Sequence, residues 1–226
     1  LIAQNAGADG ITAHLREDRR HIKDKDIERL MSEIELPLNF EMAATHEMKD
    51  IALRLKPNAV CIVPEKRMEI TTEGGLDLIG QFDRLESICH QLNDSGSRIS
   101  LFIEPDFRQI ETALKLEVPV IELHTGTYSE LRADDKENEL KRIHRAVDYA
   151  NELGIECHAG HGLNYENVGP IASIKKITEL NIGHFLIGEA VFTGLTNAID
   201  KMKRIMAEAR KVEVSNSDSP YNKRAL

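Results

Sequence analysis

The chain of 226 residues lacks several features that would each point to a function class. No apolar run approaches the roughly 18 residues of a membrane span, so no membrane role is expected. No signal peptide is visible. There is no excess of basic charge. The formal net charge is −9, which argues against nucleic acid as a main partner, because binding a phosphate backbone needs a basic face. A small phosphorylated substrate needs only a local site and stays open. Cysteine is scarce. Cys61, Cys89 and Cys157 form no C-x-x-C pair and read as reduced thiols of a cytosolic protein. H-x-x-x-H and carboxylate–histidine ladders are also missing, so no metal is expected. No G-x-G-x-x-G follows an early strand, which weakens a dinucleotide-binding reading.

What is present is a recurring unit of β-rich run, loop and amphipathic helix. The runs cover residues 10–15, 38–42, 59–63, 99–103, 118–123, 155–159 and 180–183. Helices are predicted over 26–34, 46–55, 76–93, 106–116, 136–153, 165–175 and 196–211, with a short one after residue 184. Residues 1–6 read as the end of a helix closed by Gly7. Alternating strands and helices imply a parallel sheet with right-handed crossovers. A doubly wound sheet could hold seven strands, but an eight-stranded TIM-type α/β barrel, with seven of its strands in this chain, fits better. Residues 1–211 are expected to form one α/β domain. Residues 212–226, rich in Ser, Asn, Asp and Lys, are expected to form a polar tail.

Parity along the runs supports a barrel. Ile11, Ala13 and Leu15 alternate with Thr12, His14 and Arg16, and Phe40 and Met42 alternate with Asn39 and Glu41. The same alternation sets Ile121 and Leu123 against Glu122 and His124, and Cys157 and Ala159 against His158. The apolar set is expected to meet helices and the polar set to point into the barrel. Buried charge is costly unless paired. Polar groups gathered near strand ends therefore place a site at the barrel mouth.

Two stretches look built for an anion. His158-Ala159-Gly160-His161-Gly162 and Asn181-Ile182-Gly183-His184 each end a strand-like run in a glycine turn. Glycine lets a ligand approach the backbone closely, and the N-terminus of the helix after Gly183 adds partial positive charge. Two successive strand-end turns followed by a short helix form a common phosphate cradle in barrels. Elsewhere, His14 could move a proton near neutral pH. Arg16 could bind a carboxylate or phosphate bidentately. Glu41 could act as a general base if its surroundings raise its pKa, although a salt bridge to Arg16 is the simpler role for it alone. The long loop 65–75 is either a lid or an ordinary insertion. On these residues alone, a phosphate-binding isomerase or lyase and a non-catalytic binding barrel both remain open.

In order along the chain, five strings carry a resemblance to a known family. They are Ala6-Gly7-Ala8-Asp9-Gly10-Ile11-Thr12-x-His14-Leu15-Arg16-Glu17-Asp18-Arg19-Arg20-His21-Ile22, Asn39-x-Glu41-Met42-Ala43, Thr71-Thr72-Glu73-Gly74-Gly75, Glu122-Leu123-His124-Thr125-Gly126 and Ala159-Gly160-His161-Gly162-Leu163-Asn164-Tyr165. Val63-Pro64-Glu65-Lys66-Arg67 and Glu179-Leu180-Asn181-Ile182-Gly183-His184 add to them. The sequence resembles the pyridoxine 5′-phosphate synthases of vitamin B6 biosynthesis. The resemblance implies condensation of 1-deoxy-D-xylulose 5-phosphate with 3-amino-2-oxopropyl phosphate to pyridoxine 5′-phosphate, phosphate and water. It implies Glu41 and His14 as proton acceptors and His161 as proton donor. It also implies Arg16, His21 and Thr71 as binders of the pentulose phosphate, and Gly162, Gly183 and His184 as holders of a phosphate. No metal or organic cofactor is implied, and a cytoplasmic homo-octamer is. Family members begin with a strand carrying Asn-x-Asp-His that has no counterpart here, so the seven runs are expected to be the second to eighth of eight. Runs 10–15 and 180–183 should then lie unpaired, about two strand spacings apart, roughly 9–10 Å. His158 stands where the family usually carries Asn.

Overall fold

The computed structural model describes residues 1–65 and 74–217, with side chains through residue 211. Seven strands form its sheet: β1 (Ile11–His14), β2 (Leu38–Ala43), β3 (Ala59–Val63), β4 (Arg98–Ile103), β5 (Val120–His124), β6 (Glu156–Gly160) and β7 (Ile177–Asn181). The helices are α1 (Ile2–Asn5), α2 (Asp24–Glu33), α3 (His46–Leu55), α4 (Phe82–Asp94) and α5 (Phe107–Lys115). They continue with α6 (Gly126–Glu130), α7 (Ala133–Glu152), α8 (Val168–Ser173), α9 (His184–Thr193) and α10 (Leu195–Ser217). Every neighbouring pair of strands is parallel and the spatial order is the chain order. With helices as connections, this is the curled α/β barrel that the alternation predicts. No ladder joins β1 to β7. A side-chain bond does cross between them: the Thr12 hydroxyl donates to Asn181 Oδ1 over 2.6 Å.

The parity argument holds at the level of packing. Leu38, Phe40, Met42, Leu101, Ile121, Leu123, Cys157 and Ala159 all belong to the large core between sheet and helices. Each fully buried aliphatic or aromatic side chain stabilises the fold by about 1.5–3 kcal/mol relative to exposure. A second, much smaller apolar cluster of Cys61, Val63 and Phe102 lies on the opposite faces of β3 and β4, inside the barrel. The lumen is otherwise polar, and the charges at its floor are paired. At the strand starts, Arg98 donates two bonds to Glu156, of 2.9 and 2.6 Å, and this holds the Glu156 carboxyl down at about 2. His158 Nε2 lies 2.9 Å from the same carboxylate and Thr178 donates to it over 2.9 Å. His158, 7% exposed, thus closes the floor of the barrel among charged partners.

Element boundaries depart from the sequence pattern where side chains take over backbone bonding. The predicted helix from residue 76 starts only at Phe82. Before it, Leu76 N–H donates to the Phe102 carbonyl, Leu78 N–H to Gln109 Oε1 and Gly80 N–H to Asp77 Oδ1. The predicted helix over 165–175 shrinks to α8. Asn164 Oδ1 accepts from Glu166 and Asn167 N–H, and Asn167 Oδ1 accepts from Asn164 N–H, which makes an Asx turn of its start. Strand β5 begins two residues late because Pro119 has no N–H to give; its carbonyl instead receives Glu156 N–H. Strand β7 runs over 177–181 rather than 180–183, since its backbone pairs with β6 from Cys157 opposite Ile177 to Gly160 opposite Asn181, through a register shift. Helix α10 continues past residue 211 to Ser217.

Candidate active site

The C-terminal ends of the parallel strands gather the predicted residues. His14 is the last residue of β1 and lies in register with Glu41 of β2. Its Nδ1 is 3.8 Å from Glu41 Oε2, and its Nε2 is 2.7 Å from Glu65 Oε1, just past β3. One imidazole therefore bridges two carboxyl groups. Burial pushes the Glu41 carboxyl above its ordinary value; His14 and Arg16 oppose this and Glu65 reinforces it. A half-buried carboxylate with a raised pKa is what a general base needs. Glu65 behaves oppositely. Burial alone would raise it, but the bond with His14 and the Glu17 N–H donated over 2.9 Å outweigh burial and hold it low. Two carboxyl groups on one histidine are thus driven apart in pKa, an arrangement that separates base from charge partner.

Arg16 follows β1 in the same mouth. Its Nε is buried and, among the described residues, has no hydrogen-bond partner; Asp18 stands 3.8 Å away. Asn39 Oδ1, on β2, is likewise buried and unpartnered among the described residues. His21 is exposed on the loop after β1. Thr71 and most of the loop 65–75 lie outside the described residues.

The opposite side of the mouth carries His161, just after β6. Its backbone φ is +81°, rare for a residue with a side chain. Thr125 explains how it is held. Its N–H donates to the Gly160 carbonyl over 2.8 Å, and its hydroxyl lies 2.7 Å from both the Gly160 and His161 carbonyls. The residue is exposed at the mouth, yet its ring is packed near Phe102 and His124. Desolvation, then the neighbouring His124, draw its pKa below the ordinary imidazole value. Gly162 follows with φ +76°, and a Cβ there would sit 2.7 Å from the Ser129 side chain, so only glycine fits without strain.

Strands β6 and β7 pair, with Gly160 opposite Asn181. Gly162 and Gly183 thus lie two residues beyond adjacent strand ends, at the same end of the barrel. Gly183 is the N-cap residue of α9, and among the described residues no side chain caps that helix. The first N–H groups of a helix, here from His184 on, have no partner within the helix and can meet an anion. A Cβ on Gly183 would meet nothing within 4 Å, so the space over that turn is open.

The structure also brings in a group absent from the predicted set. Glu122 of β5 is 4% exposed and points into the lumen. Its Oε2 accepts from Asn181 Nδ2 over 2.9 Å and from the Cys61 thiol over 3.7 Å. Burial first, then the negative charges of Glu41 and Glu179, push it up to about 8. At neutral pH it is mostly a neutral acid. Its signal in the sequence was the inward parity of β5; its protonation state was not legible there.

A family described as "Pyridoxal phosphate biosynthesis protein PdxJ" matches residues 1–208. The chain belongs to the PdxJ family. The pyridoxine 5′-phosphate synthase of Rhodospirillum rubrum is 59% identical over 209 residues, which is 92% of this chain and 84% of that protein. That of Zymomonas mobilis is also 59% identical over 209 residues, 92% of this chain and 82% of that protein. Among solved structures, a phosphoribosyl anthranilate isomerase from Thermus thermophilus superposes with a TM-score of 0.59 at 9% identity, covering 92% of each chain. At that identity it shows the barrel fold alone. Among the described residues of this PdxJ member, no helix is long and apolar enough to cross a membrane.

Proposed function

We propose that this chain condenses 1-deoxy-D-xylulose 5-phosphate with 3-amino-2-oxopropyl phosphate to give pyridoxine 5′-phosphate, phosphate and water. The observation that carries the reading is the His14–Glu41–Glu65 cluster, set across one barrel mouth from His161 and from the glycine turns of β6 and β7. Ring closure requires repeated proton transfers, loss of phosphate and dehydration. Acid and base groups with separated pKa values around one mouth suit such a sequence.

In this reading Glu41 and His14 accept protons. Glu41 is fitted to it by its raised pKa, and His14 by its place between two carboxyl groups. His161 donates a proton, and its lowered pKa makes it the stronger acid. Arg16, whose buried Nε has no partner among the described residues, binds the pentulose phosphate together with His21 and Thr71. Gly162, Gly183 and His184 hold a phosphate at the N-terminus of α9. The protein's own groups perform the chemistry without metal or organic cofactor. Residues 1–211 form a single α/β barrel domain, and its last helix runs on to Ser217. The protein works in the cytoplasm as a homo-octamer; the exposed Ile187, Val191 and Phe192 of α9 support assembly.

The test is direct: incubation with the two substrates and detection of pyridoxine 5′-phosphate and inorganic phosphate. Both products are expected in equal amounts. Binding of either substrate without turnover would instead identify a phosphate-binding barrel that does no chemistry. Isomerisation or cleavage of another sugar phosphate would identify a different barrel enzyme.

A further inference from the structure

Beside His161 stands a histidine that the proposed roles leave unused. His124, the last residue of β5, is 2% exposed. Its Nδ1 lies 2.7 Å from Glu104 Oε1, one residue past β4. That carboxylate is held on every side. Oε1 also accepts Gly75 N–H over 3.2 Å, and Oε2 accepts Arg142 Nη2 over 2.9 Å. Arg142 is anchored in turn by Glu139, through bonds of 2.8 and 2.7 Å, and by the Pro105 carbonyl. Burial would raise Glu104, but the bonds from His124 and Arg142 outweigh it and hold the carboxyl at about 2. Glu104 is therefore ionised, so His124 Nδ1 carries the proton and donates it. The ring orientation follows, and Nε2 faces the turn that starts α6.

That turn is shaped around two imidazoles. The rings of His124 and His161 have centroids 5.0 Å apart at 52°, and Phe102 meets His124 edge-on at 5.2 Å. A Cβ on Gly126 would lie 2.4 Å from His124 Nε2 and 3.0 Å from His161 Cδ2. Only glycine leaves room for both rings. Such a carboxylate–histidine pair, braced from behind and pressed on the proton donor, is more than a barrel needs for its fold.

We propose that His124, oriented by Glu104, is a positioning residue for His161: it fixes the His161 ring at the mouth and makes His161 the readier proton donor. This rests on the proposed synthase activity, in which His161 donates. The charged and titratable neighbours acting on His161 are His124 on β5, Glu130 on α6 and His184 on α9. Desolvation disfavours the protonated ring most, followed by His124; Glu130 favours it and His184 disfavours it. Replacing His124 takes away the ring packed against His161 and lets water reach it, which relieves the desolvation that chiefly lowers its pKa, so the His161 pKa rises. A donor must be protonated to act, so the alkaline limb of the kcat profile moves to higher pH while the plateau falls, because the acid is weaker.

The experiment compares the wild type with His124→Gln and Glu104→Gln. Product formation is followed from both substrates, and histidine titrations are followed by NMR on the substrate-free protein. For His124→Gln, kcat is expected to fall roughly 10–100-fold, the scale of loss when a catalytic group is misplaced by about 1 Å, with KM within about threefold. Its alkaline limb and the His161 titration should both move up. Glu104→Gln should lower kcat in the same range, since its amide can donate to Nδ1 and reverse the tautomer. Wild-type kcat with an unmoved His161 titration in His124→Gln overturns the proposal. So does a wild-type His161 that titrates at or above the ordinary imidazole value, a measurement that needs no variant to fold. A wild type that forms no product overturns the synthase reading instead, and the NMR titrations still decide the relation between the two rings.

Discussion

At the scale of single residues, environment assigns different tasks to chemically identical groups. Glu41, Glu65, Glu104 and Glu122 all lie in or beside one barrel mouth. Glu41 and Glu122 are raised chiefly by burial, while Glu65 and Glu104 are held low by hydrogen-bonded histidine. Replacing Glu41 by Gln keeps its shape and removes its basicity. Turnover should drop by roughly 10²–10⁴ with substrate binding retained, as measured by kcat and by calorimetric titration; near wild-type turnover would remove Glu41 from the mechanism. Glu122 offers a test through stability. Its folded pKa of about 8 lies above that of an unfolded glutamate, so the folded state holds the proton more tightly. Stability is then fullest below about pH 4.3 and is lost progressively as pH rises towards 8. Glu122→Gln cannot ionise. It should match the wild type near pH 4 and be the more stable protein at pH 7, by up to about 3 kcal/mol in denaturant unfolding. A constant difference across that range would contradict the raised pKa.

At the scale of elements, the two glycine turns make opposite steric demands, although the sequence presents them alike. Gly162 has positive φ and no room for a Cβ; Gly183 has negative φ and open space. Gly162→Ala is expected to lower the melting temperature by several degrees, in line with a cost of 1 kcal/mol or more for a side chain at such a φ. Gly183→Val should leave melting within a few degrees, since a Cβ there meets no described residue, but raise KM, because the added bulk enters the space proposed for phosphate. Thermal melts and substrate titrations of both variants separate the two effects. If Gly183→Val leaves KM unchanged, no phosphate sits over α9.

At the scale of the whole molecule, α9 stands out. It is mostly apolar, yet none of its residues is buried. Val191 and Phe192 are 79% and 86% exposed, and Ile187 lies one turn before Val191. An apolar face of this kind marks an interaction surface, consistent with the proposed assembly. Phe192→Asp combined with Val191→Lys should shift sedimentation velocity towards smaller species at equal concentration. An unchanged distribution would place the contacts between subunits elsewhere.

The amino-acid sequence by itself determined the seven strands and their alternation with helices, the inward parity of His14, Glu41, Glu122 and His158, and membership of the family. These follow from local periodicity and from motifs read within a few residues. Only the tertiary structure decided which inward groups meet. His14 finds Glu65 across 51 positions, and Thr12 finds Asn181 across 169. Glu104 and His124 join across two strands to stand against His161. Such pairings depend on strand register and on how far the sheet curls, and neither leaves a periodic trace in sequence. The pKa values were hidden for the same reason: they depend on burial and on charges brought near from distant segments.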